Sequence, residues 1–170
     1  SPSLLSMLSE GITEDFPIPE PEEMLSDLQS RMINDFPVSD PTPSFTVKDV
    51  VPSLEPYSAP AFYLTTPLGD SDNNVIYINR RNSPMGLELY TTLAHEGFPG
   101  HLYQTVYSNR AFLDKDMDPV RKLIWYGGYL EGWALYVEFI SYDYAADLLE
   151  QCGQSDAAQA ALLEKHTRSL

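Results

Sequence analysis

Residues Thr91 to Gln104 read TTLAHEGFPGHLYQ, and this stretch holds two of the chain's three histidines, His95 and His101, with Glu96 between them. Two imidazoles and a carboxylate so close together read as a metal site. In the HExxH pattern, a helix presents histidines at i and i+4 to one zinc and leaves the intervening Glu as general base. Here Pro99 stands where the second His would be, and His101 comes two residues later. On an unbroken helix six residues advance about 600°, so His101 would sit roughly 120° off the face of His95. The residues between them repair this. Pro99 lacks an N–H and its ring clashes with the carbonyl of His95, while Phe98 before it is pushed away from α conformation. Gly100 accepts whatever backbone angle the return requires. Phe98 to Gly100 are therefore expected to leave the helix and bring His101 back to the place of an i+4 ligand.

Upstream of this stretch, Ser83-Pro84 predicts a helix start, with Ser83 as N-cap and the apolar positions Leu87, Leu89, Tyr90, Leu93 and Ala94 leading to His95. Short strands are expected over Phe45–Val51, Ala61–Thr66 and, most clearly, Val75–Asn79 (VIYIN), with a turn at Leu68–Asn74. Residues 1–43 are acidic and rich in proline. Only Ser3–Leu8 and Glu20–Ile33 there have helical spacing, and the segment reads as a solvated or docking piece set before a core at 44–170. Downstream, a helix is expected from about Asp118-Pro119 to Leu149. Its glycines Gly127, Gly128 and Gly132 suggest another backbone packed closely against it. Gly153 ends it, and Ser155–Ser169 forms a last amphipathic helix in which His166 is a surface residue. The fold class is mainly α with a small β portion (α+β).

Two histidines and one carboxylate, with water in the fourth position, make a catalytic zinc site. The acid must face the histidines from a neighbouring helix. Glu131, in the apolar stretch GGYLEGWALYVE, is the best candidate, because an unpaired carboxylate would be costly to bury there. Glu138, seven residues on and on the same face, is placed to orient a ligand from behind.

HEGFPGH followed some thirty residues later by EGWALYVE resembles the bacterial family known as domain of unknown function 885, whose signature pairs an HExxPGH segment with an EGWALY-type helix. That family is similar to the gluzincin metallopeptidases. The resemblance covers roughly Phe45 to Tyr144 and implies a zincin-like core in which His95, His101 and Glu131 bind Zn2+ and Glu96 is the general base. It further implies hydrolysis of peptide substrates by a carboxypeptidase- or oligopeptidase-type enzyme, with Val75–Asn79 as the edge strand of the cleft. Members of the family often carry a second His where this chain has Leu102. They are also several hundred residues long, so the remainder of a longer parent chain is expected to complete the cleft. The alternative from another class is an inactive zincin-like binding or structural module, or a fragment that holds metal without turnover. A module freed from catalysis could have lost any of His95, Glu96, His101 or Glu131, and all four are present.

Composition narrows the partners. With 25 acidic against 10 basic residues the net charge is −15, which disfavours nucleic-acid backbones and anionic membranes. No apolar run is long enough for a membrane span, and the single Cys152 excludes an internal disulfide. A start without Met and a helical pattern still running at Ser169-Leu170 read as part of a larger protein. Tyr103, Tyr129 and Tyr136 are the tyrosines near enough in sequence to steady an oxyanion, and the sequence does not choose among them.

Overall fold

The computed structural model describes residues 15–66, 72–114 and 126–169, together with 118, 120 and 124. The expected helix at Ser3–Leu8 and part of the turn at Leu68–Asn74 lie outside the described residues. What is described is mainly helical with one small sheet. Helix α1 spans Pro21–Arg31, and strands β1 (Thr46–Asp49), β2 (Ala61–Leu64) and β3 (Val75–Ile78) follow. Then come α2 (Gly86–Glu96), α3 (His101–Asp114), α4 (Gly127–Gln151) and α5 (Ser155–Arg168).

The three strands form one sheet in the order β1-β3-β2. β1 runs parallel to β3 with Thr46 opposite Val75, whereas β2 is antiparallel with Tyr63 opposite Ile76. The strand expected at the cleft edge, Val75–Asn79, is observed as Val75–Ile78 at the centre of this sheet, and the edge beside α2 belongs to β2. Alternation explains the placement: Ile76 and Ile78 are fully buried on one face. Loops are tied to the sheet through Asn79, whose side-chain amide donates to the carbonyls of Glu55 and Ser58 at 2.8 and 3.0 Å.

Residues 15–43 are not a solvated appendage. Pro21 starts α1 at its first position, and Met24, Leu25 and Leu28 are fully buried in the common core with Leu93, Phe98 and Tyr142. Asp27 of α1 accepts a 2.6 Å hydrogen bond from Tyr90 of α2 and pairs with Arg31 at 2.8 Å. Farther along, Asp35 accepts a 2.6 Å bond from Tyr144 of α4.

Two helix starts differ from expectation. Helix α2 begins at Gly86, which has φ 59°, and Ser83 donates to the carbonyl of Pro84 instead of capping the helix. Helix α4 begins at Gly127, not near Asp118. Gly128 and Gly132 do not receive another backbone: a β-carbon on either would meet nothing within 4 Å among the described residues.

Candidate metal centre

Helix α2 ends one residue after His95, and α3 begins at His101. The four residues between contain the expected break at Phe98–Gly100 and extend it by Gly97, and the Phe98–Pro99 peptide bond within it is cis. Its two glycines are forced by contact. A β-carbon on Gly97 would lie 2.5 Å from Leu25 Cδ2 and 2.8 Å from the Leu93 carbonyl, and one on Gly100 would overlap the carbonyl of His95. The break is anchored from below by Phe98, fully buried against Phe45 with ring centroids 5.6 Å apart. From the side, Trp133 Nε1 of α4 donates to the Pro99 carbonyl at 2.8 Å.

This return places the imidazoles of His95 and His101 with centroids 4.9 Å apart and planes 86° to each other. Glu131 of α4 meets both, with Oε2 3.6 Å from His95 Nε2 and Oε1 3.6 Å from His101 Nε2. Donors each about 2.0–2.1 Å from a tetrahedral zinc lie about 3.3 Å apart, so each imidazole stands near the spacing needed to share an ion with the Glu131 carboxylate. The other His95 nitrogen, Nδ1, lies 3.2 Å from Glu138 Oε2. A carboxylate only accepts, so Nδ1 carries the proton in this contact, and in a neutral ring this leaves the lone pair on Nε2, facing Glu131. Nature and arrangement of these donors fit Zn2+.

Glu131 reaches this position from solvent. Its side chain is 63% exposed, contrary to the expectation of a carboxylate buried among apolar neighbours. The apolar residues around it, Tyr129, Leu135 and Tyr136, are themselves exposed on this part of α4.

Glu96 also lies close, with donor atoms of His95, Glu96 and His101 within 4.8 Å of one another. Distance alone would allow it to be the third ligand. Its Oε2, however, accepts a 2.9 Å hydrogen bond from the Tyr63 backbone N–H of β2, which turns the carboxylate toward the sheet. Glu131, which lies 3.6 Å from a nitrogen of both imidazoles, is therefore the better-placed third donor, with Glu96 next to the cluster and turned toward β2.

The electrostatics separate these groups. Burial holds the Glu96 carboxyl above its ordinary value, and the Tyr63 N–H and His95 only partly oppose this, with Glu131 adding to it. Burial also works against a charge on His95, but the Glu138 hydrogen bond and the neighbouring charges of Glu96, Glu138 and Glu131 outweigh it and raise its pKa. His101 is lowered, first by burial and then by the adjacent His95, against the pull of Glu131.

Of the three tyrosines, Tyr103 is buried and donates to the Pro37 carbonyl at 2.7 Å, so its hydroxyl is already committed. Tyr129 and Tyr136 are exposed on α4, and His166 is exposed as expected. Two parts of the site were missed from sequence. The Tyr63 contact is made by a backbone N–H and leaves no side-chain signature. Trp133 was visible inside EGWALY, but its bond to Pro99 depends on how α4 crosses the break.

A family model described as "Bacterial protein of unknown function (DUF885)" matches residues 14–162. Among solved structures, the crystal structure of a "putative lipoprotein" from Colwellia psychrerythraea superposes with a TM-score of 0.62 at 23% sequence identity, covering 98% of this chain. The chain spans 26% of that protein's length. At this identity the likeness concerns the fold. No curated protein matches the chain.

Proposed function

The chain belongs to this bacterial family, and from the site its residues build we propose that the whole protein is a zinc-dependent peptidase with a zincin-like core. The observation that carries the reading is the placement of one Glu131 carboxylate 3.6 Å from the Nε2 atoms of both His95 and His101. In this reading His95, His101 and Glu131 hold the metal. When bound, zinc polarises the scissile carbonyl and acidifies water at the site.

The remaining steps belong to the protein. Glu138 keeps the proton on His95 Nδ1 and so keeps Nε2 available. Tyr63 N–H holds one oxygen of Glu96, leaving the other free for the attacking water. Glu96 takes the water's proton and delivers it to the leaving amine. In the metal-free chain burial raises its pKa and so strengthens its hold on a proton. The peptide substrate class rests on the resemblance of HEGFPGH and EGWALYVE to the gluzincins, and the rest of a longer chain would wall the cleft.

The test is a pair of variants in the intact protein. Glu96→Gln should retain zinc while peptide hydrolysis falls by about 10² to 10⁴. Glu131→Gln should lose the metal. Zinc stripped by Glu96→Gln but kept by Glu131→Gln would exchange the two roles, and unchanged hydrolysis in Glu96→Gln would overturn the mechanism. Zinc retained with no hydrolysis in the unmodified protein would favour the non-catalytic module.

A further inference from the structure

The Glu138 carboxylate that holds His95 is itself held from the opposite side. Its Oε2 lies 3.2 Å from His95 Nδ1, while its Oε1 lies 3.8 Å from Arg168 Nη1, in the last turn of α5. Arg168 is fixed in turn by Glu164, one turn back on the same helix, whose Oε1 lies 3.1 Å from Nη2. Tyr142 of α4 donates to that same Glu164 oxygen at 3.5 Å. A continuous polar chain thus runs His95–Glu138–Arg168–Glu164–Tyr142, joining α2, α4 and α5.

We propose that Arg168 is a positioning residue for the metal centre, and that α5 serves the site by bracing Glu138 in the orientation that fixes the His95 ring. The proposal rests on the zinc reading above. A carboxylate on α4 has several rotamers, and only some aim an oxygen at Nδ1. Arg168 favours these by drawing the other oxygen to the far side, so the two contacts divide one carboxylate between them. Glu138 is mostly shielded from solvent, with 21% of its side chain exposed, so the guanidinium is less screened there than on an open surface. Arginine suits the position because its planar fork meets Glu138 with one nitrogen and Glu164 with the other. Partners standing behind a metal-bound histidine commonly change metal affinity by about 10- to 100-fold. Arg168 acts one step farther out, so its removal should fall at or below the low end of that range.

The test uses the intact protein and its Arg168→Ala, Arg168→Lys, Glu138→Gln and Arg168→Ala/Glu138→Gln variants. Zinc affinity is measured by competition with a chromophoric chelator. The His95 tautomer is read from ring ¹⁵N shifts of the metal-free, histidine-labelled protein. Arg168→Ala should weaken zinc binding several-fold, Arg168→Lys should recover much of the loss, and the double variant should be no weaker than Glu138→Gln alone. The Nδ1–H tautomer should dominate in the parent and lose ground in Arg168→Ala. Equal zinc affinity with an unchanged tautomer in Arg168→Ala, or losses that simply add in the double variant, overturns the proposal. Failure of the parent to bind zinc refutes the metal reading instead, and the tautomer then decides the role of Arg168 alone. Arg168 is substantially exposed at the end of its helix, so these variants should fold, and a urea midpoint for each verifies it.

Discussion

The carbonyl of His95 occupies the space that a β-carbon on Gly100 would need, so the first histidine and the return to the second are in direct backbone contact. No side chain can be accommodated there without moving one of them. Gly100→Ala should therefore act on both stability and metal binding. Overpacking of this kind costs about 1–3 kcal/mol, and the shift it forces should separate the imidazoles. Urea unfolding and zinc stoichiometry of the variant measure the two effects. A stable variant with full zinc content would show that the approach is not required.

Helix α1 should be inseparable from the rest of the fold. Leu25 is fully buried, and its Cδ2 is 2.5 Å from where a β-carbon on Gly97 would stand, directly beneath the break. Leu25→Ala is expected to cost about 2–5 kcal/mol. Deleting residues 1–43 should leave a chain without a cooperative unfolding transition. Calorimetry on both distinguishes this from an independent leading segment.

Gln104, one turn beyond His101, is buried, and neither its Oε1 nor its Nε2 has a hydrogen-bond partner among the described residues. An unpaired buried amide is a standing cost, and its removal can stabilise. Gln104→Met, similar in length and apolar, should raise stability by about 1 kcal/mol, seen as a higher denaturant midpoint with an unchanged slope. A lower midpoint would show that the amide is paired in the working protein.

Alkaline pH should loosen the contact between α4 and α5. Burial first, and then the nearby Glu164 and Glu138, raise the Tyr142 hydroxyl to about 12, with Arg168 opposing. A phenol whose folded value is raised keeps its full contribution to stability below its ordinary value near 10. That contribution is lost as pH climbs through 12. Stability should fall across that window, and Tyr142→Phe should flatten the fall. An identical pH profile in parent and variant would contradict the assignment.

The features legible in the sequence are those set by local chemistry. Pro99 and Gly100 forbid a continuous helix, so the break and the meeting of His95 and His101 could be read from seven residues. Glu131 was identifiable as a carboxylate in the EGWALY stretch, but the stated reason, burial, was wrong. An apolar neighbourhood in sequence implies burial only if something covers it, and Tyr129, Leu135 and Tyr136 are exposed here. Composition misled in a similar way over residues 15–43. Prolines suggested a solvated or docking segment, and the Met24, Leu25 and Leu28 stripe decided between the two by packing into the core. Tertiary contacts without a residue signature, such as the Tyr63 N–H on Glu96 and Arg168 on Glu138, could not be read at all.

The hydrogen bond from Trp133 to the Pro99 carbonyl joins the segment that carries both histidines to the helix that carries Glu131. The donors thus stand on parts already locked together by the core, unlike a zinc finger, whose ligands gather only when the ion arrives. In the proposed zinc reading, folding and loading would be separate events. A polypeptide made when zinc is scarce would reach its shape, resist proteolysis and wait. Metal supply would then govern how many molecules work, without governing how many survive.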